Sequence, residues 1–355
     1  MAGGVGERFW PYSRRKTPKQ LLKITGDKSL LEEAIERLTP LIPIERIFIV
    51  TNRIYETPIV EQIPGLTREN IISEPVGRNT AACLALAEAV TSTKYPDATM
   101  AVITADHVIK DREKFIQNVE AACRFAEDKE SIVTIGIRPT RPETGFGYIE
   151  AGEKAVSYPE GEVYRVLRFR EKPDLTTAKT FLQAGNFYWN SGMFFWKNSC
   201  LRANLEKFLP DTMKGINQYR QAIGTPEEES LLERVYENLE KISIDFAVME
   251  KAKQVYVVPA DFDWDDVGTW NALERYLPAD QNGNHVVGKA LTLETSDTVV
   301  YNPERPEAPL VVGFGLDELL IVAARDVVMV CPKSRAPELK KLTAELRKKG
   351  MDEYL

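Results

Sequence analysis

The chain has 355 residues, of which 46 are lysine or arginine and 53 are acidic, so its formal charge is −7. With 43% apolar and 28% charged residues, it has the composition of an ordinary globular protein, which excludes the disordered and fibrous classes. An acidic chain lacks the positive field that attracts a nucleic-acid backbone, and we expect no nucleic-acid partner. No apolar run approaches the roughly 18 residues that span a bilayer, and no basic-then-apolar leader is visible, so we expect no membrane partner.

The cysteines and histidines exclude two further kinds of site. The four cysteines are scattered and form no CxxC pair, so neither a zinc site nor a disulfide framework is indicated. They are typical of small core residues in a reducing compartment, and we expect a cytoplasmic location. The two histidines, His107 and His285, are too few for a multi-histidine metal centre.

Strand-like and helix-like patterns alternate through about the first 280 residues. Short β-branched runs predict buried strands at residues 47–51, 98–104 and 131–137, and helical patterns lie at 29–41, 79–92 and 112–127. This rhythm predicts an α/β fold with a mostly parallel open sheet and crossover helices. Short runs at 147–150, 163–169 and 187–196 predict an antiparallel insertion or edge.

The pattern changes at residues 278–284, a turn-rich linker. Beyond it, short apolar runs at 286–293, 298–301, 310–314, 319–323 and 327–331 follow one another without helices, which predicts a small β domain with solenoid-like stacking. A charged helical pattern covers residues 336–349. We therefore expect a large α/β domain over residues 1–280 and a small β-rich domain with a terminal helix over residues 281–355.

The first twenty residues combine glycines with cations. Gly3, Gly4 and Gly6 free the backbone to direct several N–H groups at one anion, and five lysine or arginine residues follow by residue 19. This combination predicts a site for a polyphosphate. A dinucleotide-binding pattern fails because Phe9 replaces its third glycine, and the Gly-Lys-Ser/Thr of a P-loop is absent. The alternative is an exposed tail with solvated charges.

A carboxylate precedes the helical pattern that starts near residue 79. Residues 73–81 form a loop that leads into it, so Asn79 and Thr80 lie at the positive end of a helix dipole. Glu74 is the carboxylate of this segment, and a carboxylate is a natural acceptor for the N1–H and N2–H groups of guanine. The alternative is an ordinary capped helix start.

Two further segments carry candidate metal ligands. Asp106 follows a predicted strand, at the edge where open α/β sheets bind ligands, and an aspartate there can hold a divalent ion. Residues 261–266 contain four aspartates, including Asp266, and this density favours a shared cation. The alternative for either segment is a solvated acidic turn.

The segment 170–174 ends a predicted strand, and its neighbours Glu171 and Lys172 are suited to bind a hydroxyl and a phosphate of one small ligand. The alternative is an ion-rich surface turn. Residues 141–148 and 189–193 pair glycine with aromatic and amide groups, a mixture that suits a sugar.

Together these segments resemble the sugar-nucleotide pyrophosphorylases, and among them the mannose-1-phosphate guanylyltransferases. The family opening reads Leu-Ala-Gly-Gly-x-Gly-x-Arg-x-Trp-Pro-x-Ser-Arg and then Pro-Lys-Gln. This chain matches it from Ala2 to Gln20, and Trp10 and Gln20 are typical of the mannose branch. The similarity continues through residues 74–81, 105–107, 138–150, 171–173, 189–192, 243–251 and 264–270.

The resemblance implies the Rossmann-like fold of nucleotide-diphospho-sugar transferases. It also implies a Mg²⁺-dependent enzyme that makes GDP-mannose and pyrophosphate from GTP and mannose 1-phosphate. By the same resemblance, Arg8, Lys19 and Lys172 are the catalytic cations, and Asp106 and Asp266 hold Mg²⁺. The implied nucleotide-binding residues are Ala2, Gly3, Gly4, Gly6, Glu74, Asn79 and Thr80. The implied sugar-binding residues are Gly147, Glu171 and Asn190.

The chain departs from the family pattern in two ways. Family chains begin with a short apolar strand before Ala-Gly-Gly, whereas Met1 stands where that strand should end, so we expect an upstream start or a missing first strand. Some relatives carry a C-terminal isomerase domain, but here the C-terminal stretch is short and holds only His285. It instead resembles the left-handed β-helix through which relatives form dimers, so we expect a homodimer and no isomerase activity.

Two alternative functions stay open. One is the same chemistry with another nucleotide or another hexose 1-phosphate. The other is a non-catalytic sensor of sugar nucleotides, which would bind the ligands without turnover.

Overall fold

The structure is a computed structural model that describes residues 1–4, 6–303 and 305–355. The chain forms two compact units, of which the first comprises residues 1–3, 36–104 and 109–264, and the second comprises residues 4–35, 105–108 and 265–355. Across the described ranges, no helix combines the length and the apolar character needed to cross a membrane. The predicted domains, 1–280 and 281–355, stay a prediction, because each compact unit takes in segments that are far apart along the chain.

The strands, in chain order, are β1 (Ile49–Asn52), β2 (Ile71–Glu74), β3 (Thr99–Val102), β4 (Val108–Ile109), β5 (Ile132–Ile137), β6 (Tyr148–Tyr158), β7 (Gly161–Arg170), β8 (Phe187–Lys197), β9 (Val255–Pro259), β10 (Trp264–Asp265), β11 (His285–Gly288), β12 (Ala290–Leu293), β13 (Val299–Asn302), β14 (Val311–Phe314), β15 (Leu319–Ala323) and β16 (Val328–Pro332). The α-helices are α1 (Leu30–Leu38), α2 (Glu56–Gln62), α3 (Asn79–Lys94), α4 (Arg112–Lys129), α5 (Leu175–Ala184), α6 (Asn198–Phe208), α7 (Pro210–Ala222), α8 (Glu228–Glu237) and α9 (Leu339–Lys348).

The first unit is built on a sheet with the strand order β3-β8-β5-β9-β7-β6. Strands β5 and β9 pair in parallel, and β8 runs antiparallel between β3 and β5. Because β7 is antiparallel to both β9 and β6, the strands β3, β5, β9 and β6 share one direction. Strands β1 and β2 form a separate parallel pair. The predicted α/β class with a largely parallel central sheet is confirmed, and β8 and the β6–β7 hairpin account for the predicted antiparallel part.

Helix α3 is buried because alanine and leucine occupy all of its faces. Ala81, Leu84, Ala85 and Leu86 are each at most 1% exposed, a pattern typical of a helix inside a core. Helices α6, α7 and α8 share the same core cluster. This packing fixes the start of α3, and with it the position of Asn79, one of the predicted nucleotide-binding residues.

Side-chain caps set the starts of two other helices in the first unit. Asp111 accepts a hydrogen bond from the N–H of Lys114 at 3.1 Å where α4 begins, and Asp174 accepts one from the N–H of Thr177 at 2.8 Å where α5 begins. Both are the expected N-cap arrangement, in which a side-chain oxygen satisfies an N–H group that lacks a helical partner. The cap at Asp174 fixes the end of the segment 170–174, which carries the predicted sugar-phosphate residues.

The second unit is organised around aromatic side chains. The Nε1 of Trp270 donates to the carbonyl of Trp10 at 3.0 Å, and the Nε1 of Trp10 donates to the carbonyl of Tyr354 at 2.7 Å. The ring of Trp270 lies 5.2 Å from that of Phe9 and 5.0 Å from that of Tyr301. The N-terminal segment is therefore fixed by residues from the far end of the chain.

The C-terminal strands alternate between two small sheets. Strands β11, β13 and β15 pair in parallel in one sheet, where β16 adds an antiparallel edge, and β12 and β14 pair in parallel in the other. The run at 286–293, predicted as one strand, is two strands, because Gly288 has a φ of 77° and turns the chain from one sheet to the other. A sheet-rich C-terminal region is confirmed, whereas its solenoid-like stacking and left-handed winding stay predictions.

One face of the β12–β14 pair is apolar and open. We call Leu291, Leu293, Val312 and Phe314 the apolar strip; their exposed fractions lie between 56% and 63%. Leu291 lies opposite Val312, and Leu293 lies opposite Phe314, so the four side chains are neighbours on one surface. Contiguous exposed apolar side chains commonly mark an interaction surface.

Candidate active site

The N-terminal glycine segment contains one position that only glycine fits. Gly6 has a φ of 74°, and a Cβ there would overlap the Cβ of Lys19. A Cβ on Gly4 would meet nothing within 4 Å. Val5, between them, lies outside the described residues. Gly6 is therefore required both by its backbone conformation and by the close approach of a predicted catalytic cation.

Lys19 connects the two aspartates that are predicted to hold a metal. Its Nζ donates to Oδ2 of Asp106 at 2.9 Å and to the main-chain carbonyl of Asp266 at 2.8 Å. The residue is only 7% exposed, and its Nζ lies 5.7 Å from the centroid of the Phe9 ring. A buried ammonium needs such partners to offset its desolvation. Three separately predicted residues thus form one cluster in the second unit.

The charge of Lys19 affects the two carboxyl groups differently. Burial would raise the pKa of Asp106, but the adjacent ammonium, helped by His107, holds that pKa below its usual range. Burial raises the pKa of Asp266, and the attraction of Lys19 does not outweigh it, because the charges of Asp265 and Asp106 also raise that pKa. A cation bound beside Asp266 would oppose the effect of burial and favour its ionised carboxylate.

The donor set of this cluster fits a hard divalent ion. Mg²⁺ in proteins commonly takes one or two carboxylates and completes its shell with waters and substrate phosphates. Within the described ranges, no group of three or more histidine, cysteine or acidic side chains is placed to hold a metal. Asp106 and Asp266 would supply two carboxylates to such an ion.

Arg8 contacts the same turn as Lys19. It lies in a short helical segment, Glu7–Phe9, with its side chain exposed, and its Nη1 donates to the carbonyl of Gly268 at 3.4 Å. Gly268 follows Asp266 by two residues. A Cβ on Gly268 would lie 2.9 Å from Oδ2 of Asp266 and 3.5 Å from Nη1 of Arg8, so the absence of a side chain there allows this close arrangement.

The predicted sugar-binding residues form a cluster in the first unit. The N–H of Asn190 donates to the carbonyl of Gly147 at 2.8 Å, and a Cβ on Gly147 would overlap Oε2 of Glu171. Lys172 pairs with Oε1 of Glu171. The other oxygen of Glu171, Oε2, is buried and has no hydrogen-bond partner within the described part of the chain. A buried acceptor without a donor is costly, and a ligand hydroxyl would satisfy it.

Two acidic residues that the sequence did not single out hold this cluster. Asp245 accepts a hydrogen bond from Nδ2 of Asn190 at 2.9 Å, and Glu250 accepts one from the N–H of Glu171 at 3.1 Å. Burial raises the pKa of Asp245 to about 6, and the charge of Glu171 adds to the rise. Both acids lie within the family-like segment 243–251, which was the only sequence signal for them.

Aromatic side chains pack against Phe146, which precedes Gly147 in the chain. Phe146 lies 5.3 Å from Trp189 and 5.2 Å from Trp264, measured between ring centroids, and the guanidinium of Arg141 lies 5.2 Å from the Trp189 ring. Aromatic packing of this kind was expected of a sugar site, where apolar ring faces contact the sugar.

Ala2, Gly3 and Glu74 form a third group, also in the first unit. The N–H of Ala2 donates to the carbonyl of Val50 at 2.8 Å, and a Cβ on Gly3 would lie 3.4 Å from Oε2 of Glu74. Oε1 of Glu74 accepts a hydrogen bond from the hydroxyl of Tyr236 at 3.3 Å. Burial raises the pKa of Glu74 to about 7, although that hydrogen bond and the Met1 ammonium lower it.

The start of α3 already uses part of its hydrogen-bonding capacity. The side chain of Asn79, whose φ is 69°, accepts from the N–H of Thr80 at 2.8 Å, and the N–H of Ala81 donates to the carbonyl of Ile242 at 3.2 Å. The hydroxyl of Thr80 accepts from the N–H of Ile244 at 2.8 Å. The predicted nucleotide-binding roles of Asn79 and Thr80 stay predictions.

The sequence is similar to those of known proteins. The family model described as nucleotidyl transferase matches residues 1–283. A mannose-1-phosphate guanylyltransferase of Klebsiella pneumoniae is 37% identical over 357 residues, which cover 100% of this chain and 74% of that protein.

Two solved structures are also similar. The crystal structure of a Thermus thermophilus protein called mannose-1-phosphate geranyltransferase is 35% identical with a TM-score of 0.85, and the match covers 97% of each chain. A Helicobacter pylori structure called mannose-6-phosphate isomerase is 29% identical with a TM-score of 0.58, and covers 70% of this chain and 94% of its own.

Proposed function

Since this chain belongs to the nucleotidyl transferase family, we propose that it transfers the guanylyl group of GTP to mannose 1-phosphate, forming GDP-mannose and pyrophosphate. The similarity to the Klebsiella pneumoniae guanylyltransferase along the whole chain supports the choice of substrates. The single structural observation that supports the chemistry is the cluster in which Lys19 bonds to Asp106 and Asp266. Such a cluster suits a metal-bound polyphosphate.

In the proposed reaction, an oxygen of the sugar phosphate attacks the α-phosphorus of GTP in line. A new P–O bond forms there as the bond to the bridging oxygen of the β-phosphate breaks, and pyrophosphate leaves. The attacking phosphate is largely dianionic near neutral pH, because its second pKa is about 6, so no general base is required. Catalysis then consists of positioning and charge neutralisation.

In this proposal, different cations bind different phosphate groups. Arg8 and Lys19 bind the triphosphate and stabilise the departing pyrophosphate, and the backbone of Gly3, Gly4 and Gly6 contributes N–H groups to the same anion. Lys172 neutralises the sugar phosphate. Asp106 and Asp266 would hold Mg²⁺, which when bound neutralises the charge of the reacting phosphates.

The same proposal assigns recognition to the other two groups. Oε2 of Glu171 accepts hydrogen bonds from mannose hydroxyls, and the side-chain amide of Asn190 donates to them. Gly147 lies beside both groups, and its lack of a side chain leaves room for the Glu171 carboxylate. Glu74 accepts the N1–H and N2–H of guanine, beside Asn79 and Thr80. The unpartnered oxygen of Glu171 is the observation that supports the sugar assignment most directly.

A nucleotide panel tests the reaction. Purified protein is incubated with mannose 1-phosphate and GTP, ATP, UTP or CTP, with and without Mg²⁺, and pyrophosphate release is measured. We expect release with GTP that requires Mg²⁺. Faster release with another nucleotide, or with glucose 1-phosphate, would identify the related transferase instead. Binding of GDP-mannose without any turnover would identify a sensor.

We also propose that the protein is a homodimer in which the apolar strip is covered by a second copy. Four large apolar side chains, each more than half exposed, are costly to leave in water. A Phe314→Asp variant should be a monomer by light scattering, whereas Leu167→Asp, which changes an exposed leucine in the first unit, should not alter the mass. A wild-type monomer would contradict the proposal.

The four cysteines are all free thiols, which supports a reducing compartment, and we propose a cytoplasmic location. Fractionation of cells that express the chain tests it. Recovery with a cytoplasmic marker enzyme is expected, and recovery outside the cytoplasm would contradict it.

A further inference from the structure

Residues 265–268, which we call the acidic turn, contain a backbone conformation that is rare for their sequence. Val267 has a φ of 42° and is 0% exposed. A β-branched side chain strongly disfavours this left-handed region, which glycine adopts readily. Such a conformation persists only where the surrounding structure enforces it, and it commonly occurs at functional sites.

The side chain of Asp265 connects the backbone at Val267 with Arg275. Oδ1 of Asp265 accepts a hydrogen bond from the N–H of Val267 at 2.9 Å. Arg275 donates to both oxygens of the same carboxylate, from Nη2 to Oδ1 at 2.7 Å and from Nε to Oδ2. The Asp265 side chain is 12% exposed, and this bidentate geometry fixes its orientation. Asp265 therefore joins the turn to Arg275, ten residues further along the chain.

The carbonyls on either side of Val267 receive two cations. The carbonyl of Asp266, immediately before it, accepts from Lys19 at 2.8 Å, and the carbonyl of Gly268, immediately after it, accepts from Arg8 at 3.4 Å. Rotation about the backbone at Val267 would change the relative directions of these two carbonyls. The backbone torsion angles of Val267 therefore influence how the two cations are oriented with respect to each other.

We propose that Asp265 and Arg275 are positioning residues, which hold Val267 in the left-handed region so that Lys19 and Arg8 stay oriented toward one polyphosphate. This inference rests on the proposed function only for the identity of the anion. In this proposal Asp265 does not bind the metal. Its carboxylate is occupied by Arg275 and by the N–H of Val267, so its contribution is made through the turn.

A double-mutant cycle with two backgrounds tests this inference. Asp265→Ala is measured in the wild type, in Val267→Gly and in Val267→Ala. Glycine adopts the left-handed region without help, whereas alanine also shortens the side chain but still disfavours that region, so alanine is the matched control. The readouts are kcat and KM for GTP, and the binding of inorganic pyrophosphate in EDTA, measured by calorimetry.

Asp265→Ala should lower kcat and pyrophosphate affinity by ~10-fold in the wild type and in Val267→Ala, a change equal to about 1.4 kcal/mol. In Val267→Gly the same substitution should cost less than about threefold. Arg275→Gln, at a half-exposed position that should tolerate the change, is expected to show the same dependence on background. Circular dichroism and thermal unfolding identify any variant that fails to fold, in which case the Arg275 cycle decides.

Equal losses in the glycine and alanine backgrounds would overturn the inference, since Asp265 would then act independently of the turn. Failure of the proposed function is distinguishable, because it would appear as a wild type that binds pyrophosphate but transfers no guanylyl group. The calorimetric cycle would still decide the role of the turn in that case.

Discussion

Replacing Glu74 by glutamine should remove one pH dependence from the free energy of unfolding and an opposite pH dependence from GTP binding. Burial raises the pKa of Glu74 from 4.5 to about 7 in the folded protein, against the opposing effects of the Tyr236 hydrogen bond and the Met1 ammonium. The folded state therefore binds the proton of Glu74 more tightly than the unfolded state does. It follows that the contribution of Glu74 to the free energy of unfolding is greatest at low pH and falls as the pH rises through this interval.

The pKa difference gives the expected size of both effects. A rise from 4.5 to about 7 corresponds to about 3 kcal/mol of unfolding free energy, lost between those pH values. Guanine binding should change in the opposite direction, because only the ionised carboxylate accepts both guanine N–H groups. About nine tenths of Glu74 is ionised at pH 8 and about one tenth at pH 6, so the Kd for GTP should be about tenfold larger at pH 6.

Two measurements check these numbers. Calorimetric titration with GTP and Mg²⁺ at pH 6, 7 and 8 gives the Kd, and urea unfolding from pH 4.5 to 8 gives the stability. The wild type and Glu74→Gln are compared at each pH. Because the phosphates of GTP titrate equally in both experiments, their effect cancels in this comparison. We expect Glu74→Gln to bind GTP less tightly than the wild type at pH 8. Its Kd for GTP and its free energy of unfolding should both depend less on pH than those of the wild type. Identical pH slopes for GTP binding in the two proteins would refute the role of Glu74 as the base acceptor.

Three further substitutions follow from the geometry of the clusters. Lys19→Met should lower kcat by about 30-fold or more, since a removed electrostatic donor costs about 2–4 kcal/mol of transition-state stabilisation, whereas the exposed Lys16→Met should have little effect in the same pyrophosphate assay. Gly6→Ala should reduce both activity and thermal stability, because its Cβ would overlap Lys19 and its φ of 74° is unfavourable for alanine; an unchanged melting temperature would contradict this. Gly147→Ala should raise the KM for mannose 1-phosphate at least tenfold through overlap with Glu171 while the KM for GTP stays within about twofold, and equal changes in both would argue against a sugar site.

The elements that the sequence predicted well are those with a strong local pattern. Strand β5 is a run of six residues that are all buried, and α4 has a long helical pattern preceded by a capping aspartate. Strand β2 was missed because its sequence, Ile-Ile-Ser-Glu, has only two apolar residues in a row, too few for a recognisable strand pattern. The division of residues 286–293 into two strands depends on the backbone of Gly288, and hydrophobicity alone does not reveal it.

The candidate site was predictable only as separate segments. Lys19 contacts residues that lie 87 and 247 positions away, and no local pattern joins them; the resemblance to a family supplied that link. Asp245 was not predicted because its significance arises from a contact with Asn190, 55 positions away. Asp265 was noticed only as one of four neighbouring acids, because the strain at Val267 that gives it a distinct role is a property of the folded backbone.

The discontinuous second unit has a consequence for how the protein is synthesised. Its residues come from 4–35, 105–108 and 265–355, so this unit has no complete core until the last of these segments has left the ribosome. Lys19 is synthesised 247 residues before Asp266, whose carbonyl accepts its hydrogen bond, so this contact cannot form during that interval. The strands of the larger sheet end at residue 259, so the nascent chain contains all of them before Asp266 is synthesised. A product that terminates before residue 265 lacks the hydrogen bond between Lys19 and the carbonyl of Asp266.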